Sequence, residues 1–216
     1  MGLGYADLSI RPPDDDVAVE MVKLAARLGY KLVAVEYREN LDFEKLHRVA
    51  LGEGVRVVKR VTIRGSTRAE VRRALDRLDK SLVAKAIVSV EPESLDAARY
   101  AGVNKAVHTI KVKPGMEGVV DVSQVRLFED RGWGAFEIPL VYVFKPNGWS
   151  YIVEVVRRAL MLKTKFARFI AVSDASDIYS MWSPASIIGL LASLGLQPEI
   201  AASWVSSSPA SIASRV

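Results

Sequence analysis

Four carboxylates and one lysine stand close to the ends of apolar runs: Asp7, Glu36, Glu137, Asp174 and Lys111. In a barrel of parallel strands, residues at the carboxyl ends often carry acid–base or metal chemistry. A magnesium-dependent lyase or hydrolase is the activity such a set would permit. Its spacing forces no two carboxylates together, and Asp174 lies in a turn-rich loop where capping and loop hydrogen bonds suit an aspartate. A His-rich two-metal centre needs several imidazoles, often beginning with His-x-His after the first strand. Asp7-Leu8-Ser9 occupies that place, and the chain holds two histidines, His47 in a helical pattern and His108 in a strand pattern. We expect His47 at the surface and His108 packed in the wall. No catalytic residue and no metal ligand is therefore assigned to this chain.

Positive charge is the stronger chemical signal. Ten Lys/Arg residues lie between Arg56 and Lys85, against the three acids Glu70, Asp76 and Asp79. Within this segment Val71, Ala74, Leu75 and Leu78 form an apolar stripe at helical spacing, with Ser66 or Thr67 as the cap. Arg68, Arg72, Arg73, Arg77 and Lys80 spread over the other side, and Arg56, Lys59, Arg60 and Arg64 precede them. Few acids stand at i±4 to neutralise the row. The expected role is contact with a phosphate backbone, through Arg60, Arg64, Arg68, Arg72, Arg73, Arg77 and Lys80. A second group, Arg157, Arg158, Lys163, Lys165 and Arg168, follows a core-facing stripe of Ile152, Val155, Val156, Ala159 and Leu160. It complements a helix dipole and supplies a secondary contact at Arg157 and Arg158. Of the aromatics beside loops, Trp133 and Trp149 are expected as half-buried anchors, whereas Trp182 is a candidate contact.

Elements able to position these residues alternate along the chain. Strand patterns cover Gly4–Ile10, Leu32–Tyr37, Val55–Ile63, Leu82–Val90, Lys105–Lys111, Gly134–Pro139 and Arg168–Ser173. Helical patterns cover Asp14–Leu28, Leu41–Leu51, Thr67–Leu78, Ser94–Ala101, Val122–Arg131, Ser150–Thr164, Ala185–Leu194 and Pro198–Ser206. Such alternation implies a parallel sheet with helical crossovers, and seven or eight units favour a closed (β/α) barrel in a single domain. Arg11-Pro12-Pro13 follows the first strand where a dinucleotide site needs glycines, and no Gly-Lys-Ser/Thr phosphate loop occurs.

The chain has no cysteine, which removes disulfides, thiolate zinc sites and thiol nucleophiles. No basic segment followed by an apolar run opens it, and the stretch Ile187–Leu196, broken by Gly189 and Ser193, is about half a membrane span. A cytoplasmic protein without membrane contact is expected. Its net charge of +5 and pI near 9.4 favour an acidic partner.

One stretch is more specific. Phe169 to Ser173 reads as a strand buried on both faces, Asp174 to Met181 as a polar loop, and Ser183-Pro184 as the cap and first turn of an apolar helix stopped by Gly195. This Ser-Asp-Ala loop followed by Ser-Pro and a Leu-Gly-Leu ending resembles the carboxy-terminal signature of the ribonuclease P protein component 3 family. Tyr5-Ala6-Asp7-Leu8, Leu28-Gly29-Tyr30 and Leu32-Val33-Ala34-Val35 agree with its amino-terminal part. Trp182 departs from the arginine usual at that place.

The resemblance implies a TIM-like barrel acting as a protein subunit of the ribonucleoprotein that removes the 5′ leader of precursor tRNA. It implies that the RNA, with bound Mg2+, performs the hydrolysis, while the protein binds and stabilises that RNA and holds no cofactor itself. Implied partners are ribonuclease P RNA, protein component 2 in a heterotetramer and the other ribonuclease P proteins, with precursor tRNA met indirectly. Ser173, Asp174, Trp182 and Ser183 are the loop positions expected to meet a partner.

Overall fold

The computed structural model describes residues 4–162 and 168–216; Lys163 and Lys165 lie outside the described residues. Seven parallel strands follow one another around a barrel in chain order: β1 (Tyr5–Ile10), β2 (Tyr30–Glu36), β3 (Arg56–Gly65), β4 (Ala86–Pro92), β5 (Thr109–Lys111), β6 (Ala135–Pro139) and β7 (Phe169–Val172). Each strand hydrogen-bonds to the next, for example Val33↔Val57, Ser89↔Thr109 and Ile138↔Ala171. The helices are α1 (Asp15–Leu28), α2 (Phe43–Gly52), α3 (Arg68–Arg77), α4 (Lys80–Val83), α5 (Leu95–Val103), α6 (Val122–Arg131), α7 (Gly148–Met161), α8 (Pro184–Ser193), α9 (Pro198–Ser203) and α10 (Ser207–Ala213).

Local chemistry starts these helices where the sequence marks them. Asp14, Asp42, Thr67, Asp79, Ser94, Asp121 and Ser183 each accept a main-chain N–H of the first turn, which would otherwise lack a partner. Several boundaries differ from expectation by two residues or more, and three of them have a clear local cause. The Asp79 cap makes a helical turn of Lys80–Val83, so β4 starts at Ala86 rather than Leu82. A turn closed by Ala106 N–H donating to Asn104 Oδ1 shortens β5. α7 begins at Gly148, where a Cβ would stand 1.8 Å from the Tyr142 carbonyl oxygen.

Strand parity divides the inside of the barrel into two storeys. Leu8, Ala34, Val58, Ile87, Ala135, Ile170 and Val172 form an apolar floor, sealed by Ile212 and Ala213 of α10. Towards the carboxyl ends the inward positions become polar: Glu36, Arg60, Thr62, Ser89, Thr109, Lys111, Glu137 and Asp174. Outside, α1 and α2 cover β1 to β3 through Met21, Val22 and Leu46, while the remaining helices bury Val71, Phe128, Ile152 and Leu191 on the other strands.

An eighth strand is replaced by a strap. Ala171 N–H donates to the Trp204 carbonyl at 3.0 Å and Ala6 N–H to the Val205 carbonyl at 2.8 Å, and one bridge, Ile10↔Ala175, joins the two edges above them. This pairing satisfies edge groups that would otherwise be open to another strand.

Candidate nucleic-acid interface

The barrel mouth has the residue types of an active site, but its charges are spent on one another. Arg60 is wholly buried and meets Glu137 in a two-pronged contact of 2.9 and 2.8 Å. It also donates to the Leu8 carbonyl at 2.6 Å and to Thr62 Oγ1 at 3.1 Å, and lies 3.3 Å from Glu36. Burial works against its charge, yet Glu137 and Glu36 hold its pKa above the ordinary guanidinium value. Lys111, buried as well, donates to Asp174 at 2.7 Å and stands 3.8 Å from Glu137 and 3.9 Å from Glu91. Asp174 further pairs with Arg11 at 2.8 Å and accepts from Ser9 Oγ at 2.7 Å. Burial alone would raise the Asp174 pKa; Lys111 and Arg11 bring it below the usual carboxylate value. Cations and carboxylates thus alternate across the mouth and tie strands β1, β3, β5 and β6 to the end of β7. Among the described residues, no group of three or more His, Asp or Glu has the geometry to hold a metal ion.

Two expectations are corrected here. Arg60 does not belong to the outward basic face, because side chains alternate along β3 and Arg60 shares its inward parity with Val58 and Thr62. Ser173 and Asp174 are fully buried and so are not surface contacts. Asp174 adopts a left-handed backbone (φ 53°) that turns its carboxylate into the mouth. Ser173 N–H donates to the Asp7 carboxylate, while Ser173 Oγ accepts from Trp182 N–H at 3.0 Å. These residues position the following loop.

That loop carries Trp182, half-buried, its ring stacked on exposed Phe144 at 5.2 Å, with Tyr30 Oη donating to its carbonyl at 2.8 Å. Ser183 caps α8 through Ser186 N–H at 3.0 Å. Trp133 is held between the guanidiniums of Arg131 and Arg215, at 4.4 and 4.9 Å, and is the anchor expected. Trp149 is not an anchor: it is 55% exposed, since the earlier start of α7 turns it outward. His47 is exposed, and His108 is buried in the wall, where Nδ1 accepts Val88 N–H.

α3 presents the basic face. Thr67 accepts Glu70 N–H, Val71 is buried, and Ala74, Leu75 and Leu78 pack against the core. Arg64, Arg68, Arg72, Arg73, Arg77 and Lys80 are all exposed. Their internal partners are few: Arg72 reaches Asp76 at 3.6 Å with both side chains 69% exposed, Arg64 reaches Glu91 at 3.4 Å, and Arg68 lies over the Tyr100 ring. An ion pair exposed on both sides, as Arg72–Asp76 is, is worth ~0–1 kcal/mol and leaves the charge free to meet a polyanion, whereas Arg64 is tied to the buried Glu91. On α7 the balance differs. Arg157 and Arg158 both bond Glu154 at 2.7 Å, and these bonds lower its pKa to about 2, so two cations share one carboxylate.

The pairing of Arg60 with Glu137 and of Lys111 with Asp174 emerges only with the fold. Its sequence signal is one of parity: Arg60, Lys111 and Glu137 each fall on the inward side of their strands.

Residues 4–216 match the family model described as RNase P subunit p30. The chain is 34% identical over 199 residues to ribonuclease P protein component 3 of Aeropyrum pernix, covering 90% of this chain and 89% of that protein. It is 25% identical over 223 residues to ribonuclease P protein component 3 of Methanothermobacter thermautotrophicus, covering 96% and 88%. Its fold superimposes on a chain from a cryo-EM structure of archaeal ribonuclease P with mature tRNA, with TM-score 0.76, 18% identity and coverage of 96% of this chain and 90% of that one. The barrel with its exposed arginine helix and internally paired mouth therefore belongs to the ribonuclease P subunit p30 family.

Proposed function

We propose that this chain is a protein subunit of ribonuclease P that binds the catalytic RNA through α3 and lowers the electrostatic cost of its active shape. The observation that carries the reading is the row Arg68, Arg72, Arg73 and Arg77: exposed, on one helix, and with one weak carboxylate partner among the described residues. Hydrolysis of precursor tRNA then belongs to the RNA and its Mg2+, because the ionisable groups of the barrel mouth are buried and paired with each other. Folded RNA brings phosphates close together, and their repulsion is relieved by bound cations. A rigid helix carrying four guanidiniums supplies such charge at fixed positions, without the entropy of localising as many free ions. Arg157 and Arg158, half neutralised by Glu154, serve as a secondary contact.

The proposed assembly includes protein component 2, paired with this subunit in a heterotetramer, and the other ribonuclease P proteins. Exposed Tyr179 and Phe144, with Trp182 stacked behind the latter, offer apolar surface for a protein neighbour. Reconstituted cleavage of precursor tRNA with and without the chain, across Mg2+ concentration, tests the reading. The expected result is a rise in rate confined to low Mg2+; equal stimulation at all concentrations removes charge compensation as the mechanism.

A further inference from the structure

The outer face of β3 is incompletely covered. α2 closes one side, α3 packs towards α5, and α4 packs on β4. Between α2 and α4 an open cleft of about 700 Å³ remains, lined by Tyr37, Phe43, His47, Arg56, Lys59 and Lys85 among others. That size lies within the roughly 300–1,000 Å³ of sites that enclose small organic ligands.

Its lining is divided between aromatic and cationic groups. The rings of Tyr37 and Phe43 lie 5.8 Å apart, and the Lys59 ammonium stands 5.1 Å from the centre of each. The same alternation that turns Arg60 into the barrel turns Lys59 out onto these rings. Arg56, at the start of β3, and Lys85, just before β4, add two exposed cations. Arg56 donates to the Val216 carbonyl, and among the described residues neither Lys59 nor Lys85 has a carboxylate within 4.0 Å. Glu44 and Asp79 also line the cleft, so a ligand that is anionic throughout is repelled along part of it. The lining suits a molecule with a compact anionic group at one end and a flat aromatic group at the other.

We propose that this cleft binds one nucleoside phosphate unit, an unpaired RNA residue, with its phosphate on Arg56, Lys59 and Lys85 and its base against half-buried Tyr37, which the buried Phe43 ring backs. The inference rests on the reading of the chain as an RNA-binding subunit, and adds a second kind of contact to it. α3 meets backbone charge alone, whereas the cleft takes a flipped-out or single-stranded residue, since only an unpaired base can reach an aromatic ring. Lys59 leaves the rings as the base arrives and turns to the phosphate. A free mononucleotide carries the same chemistry and is the other source of the ligand.

The test uses the folded chain and four probes: a short oligouridylate, uridine monophosphate, a blunt RNA duplex and a glutamate-rich peptide. Binding is followed by fluorescence anisotropy, competition and the aromatic proton resonances of Tyr37 and Phe43. The oligouridylate is expected to shift those resonances. Y37L should weaken it about tenfold, as loss of a stacking platform does. K59Q/K85Q, which strips two of the three cations from the one phosphate, should flatten its salt dependence by ~0.7 in log–log slope. Neither variant should alter duplex binding. Stronger binding of uridine monophosphate than of the strand, per nucleotide, identifies a free nucleotide as the ligand. Unchanged oligouridylate affinity in folded K59Q/K85Q, or displacement by the glutamate-rich peptide at equal concentration, overturns the inference. Loss of duplex binding on neutralising α3, with oligouridylate binding unaffected by the cleft substitutions, sinks the cleft and leaves the general reading standing; the converse sinks the role of α3.

Discussion

Replacing Arg68, Arg72, Arg73 and Arg77 by glutamine removes four charges from α3 while leaving its buried face untouched. Glutamine matches arginine closely in helix propensity, and the ion pair lost among the described residues, Arg72–Asp76, is exposed on both sides. Thermal unfolding should therefore shift by no more than a few degrees. RNA binding should respond differently. Each phosphate neutralised on a helical RNA contributes ~0.9 to the slope of log affinity against log salt, so four contacts contribute ~3.6. Between 50 and 200 mM salt, a fourfold change, that slope corresponds to ~150-fold in affinity. The intact protein should lose about that much more affinity than the variant over this range, and the two should converge at high salt. Fluorescence anisotropy with labelled ribonuclease P RNA measures both curves. Parallel curves, offset or not, would refute the assignment of α3 as the phosphate contact.

Other predictions follow from buried charge. R60A removes the two-pronged partner of buried Glu137, leaving it Lys111 at 3.8 Å, and should cost ~3–5 kcal/mol in denaturant unfolding, while R60M/E137L, which removes both charges, should cost clearly less. Burial lifts the Asp7 pKa from 3.8 to about 6, so its contribution is fully present below pH 4 and is lost as pH rises to 6, on the order of 3 kcal/mol in all. His108 has the opposite sense: burial and Arg131 lower its pKa from 6.5 to about 4, so its contribution is present above pH 6.5 and is lost as pH falls. The two slopes oppose each other between pH 4 and 6. D7N should therefore make stability rise with pH in this window and H108Q should make it fall, and unfolding midpoints that follow the intact protein in both would contradict the assignment. G148A should prevent the close approach of α7 to the Tyr142 carbonyl and lower the melting temperature sharply; a melt within a degree of the parent would show that the turn can relax.

Much of the barrel could be read from residue order, because Val-, Ile- and Ala-rich runs bounded by Asp, Ser and Thr caps mark both strand and helix. Ser183-Pro184 predicts α8, and Thr67 with Val71, Ala74 and Leu75 predicts α3, to within a residue. What stayed hidden depends on three-dimensional parity and on late contacts. Arg60 and Lys59 are adjacent basic residues with opposite fates, and only the facing of β3 separates them. The strap at Trp204–Val205 and α10 lack a pattern of their own: Ser206 makes no side-chain cap, and the serine-rich helix earns its place by sealing the floor with Ile212. Asp174 could be read as a loop residue but not as the buried partner of Lys111, since that pairing spans 63 positions of chain.

The most direct test compares the intact chain with the glutamine-substituted α3 variant in reconstituted precursor-tRNA cleavage at limiting Mg2+. We predict a large loss of rate at low Mg2+ that disappears as Mg2+ is raised, the added ion replacing the missing guanidiniums. Equal rates at limiting Mg2+, or a defect that persists at saturation, would contradict the account.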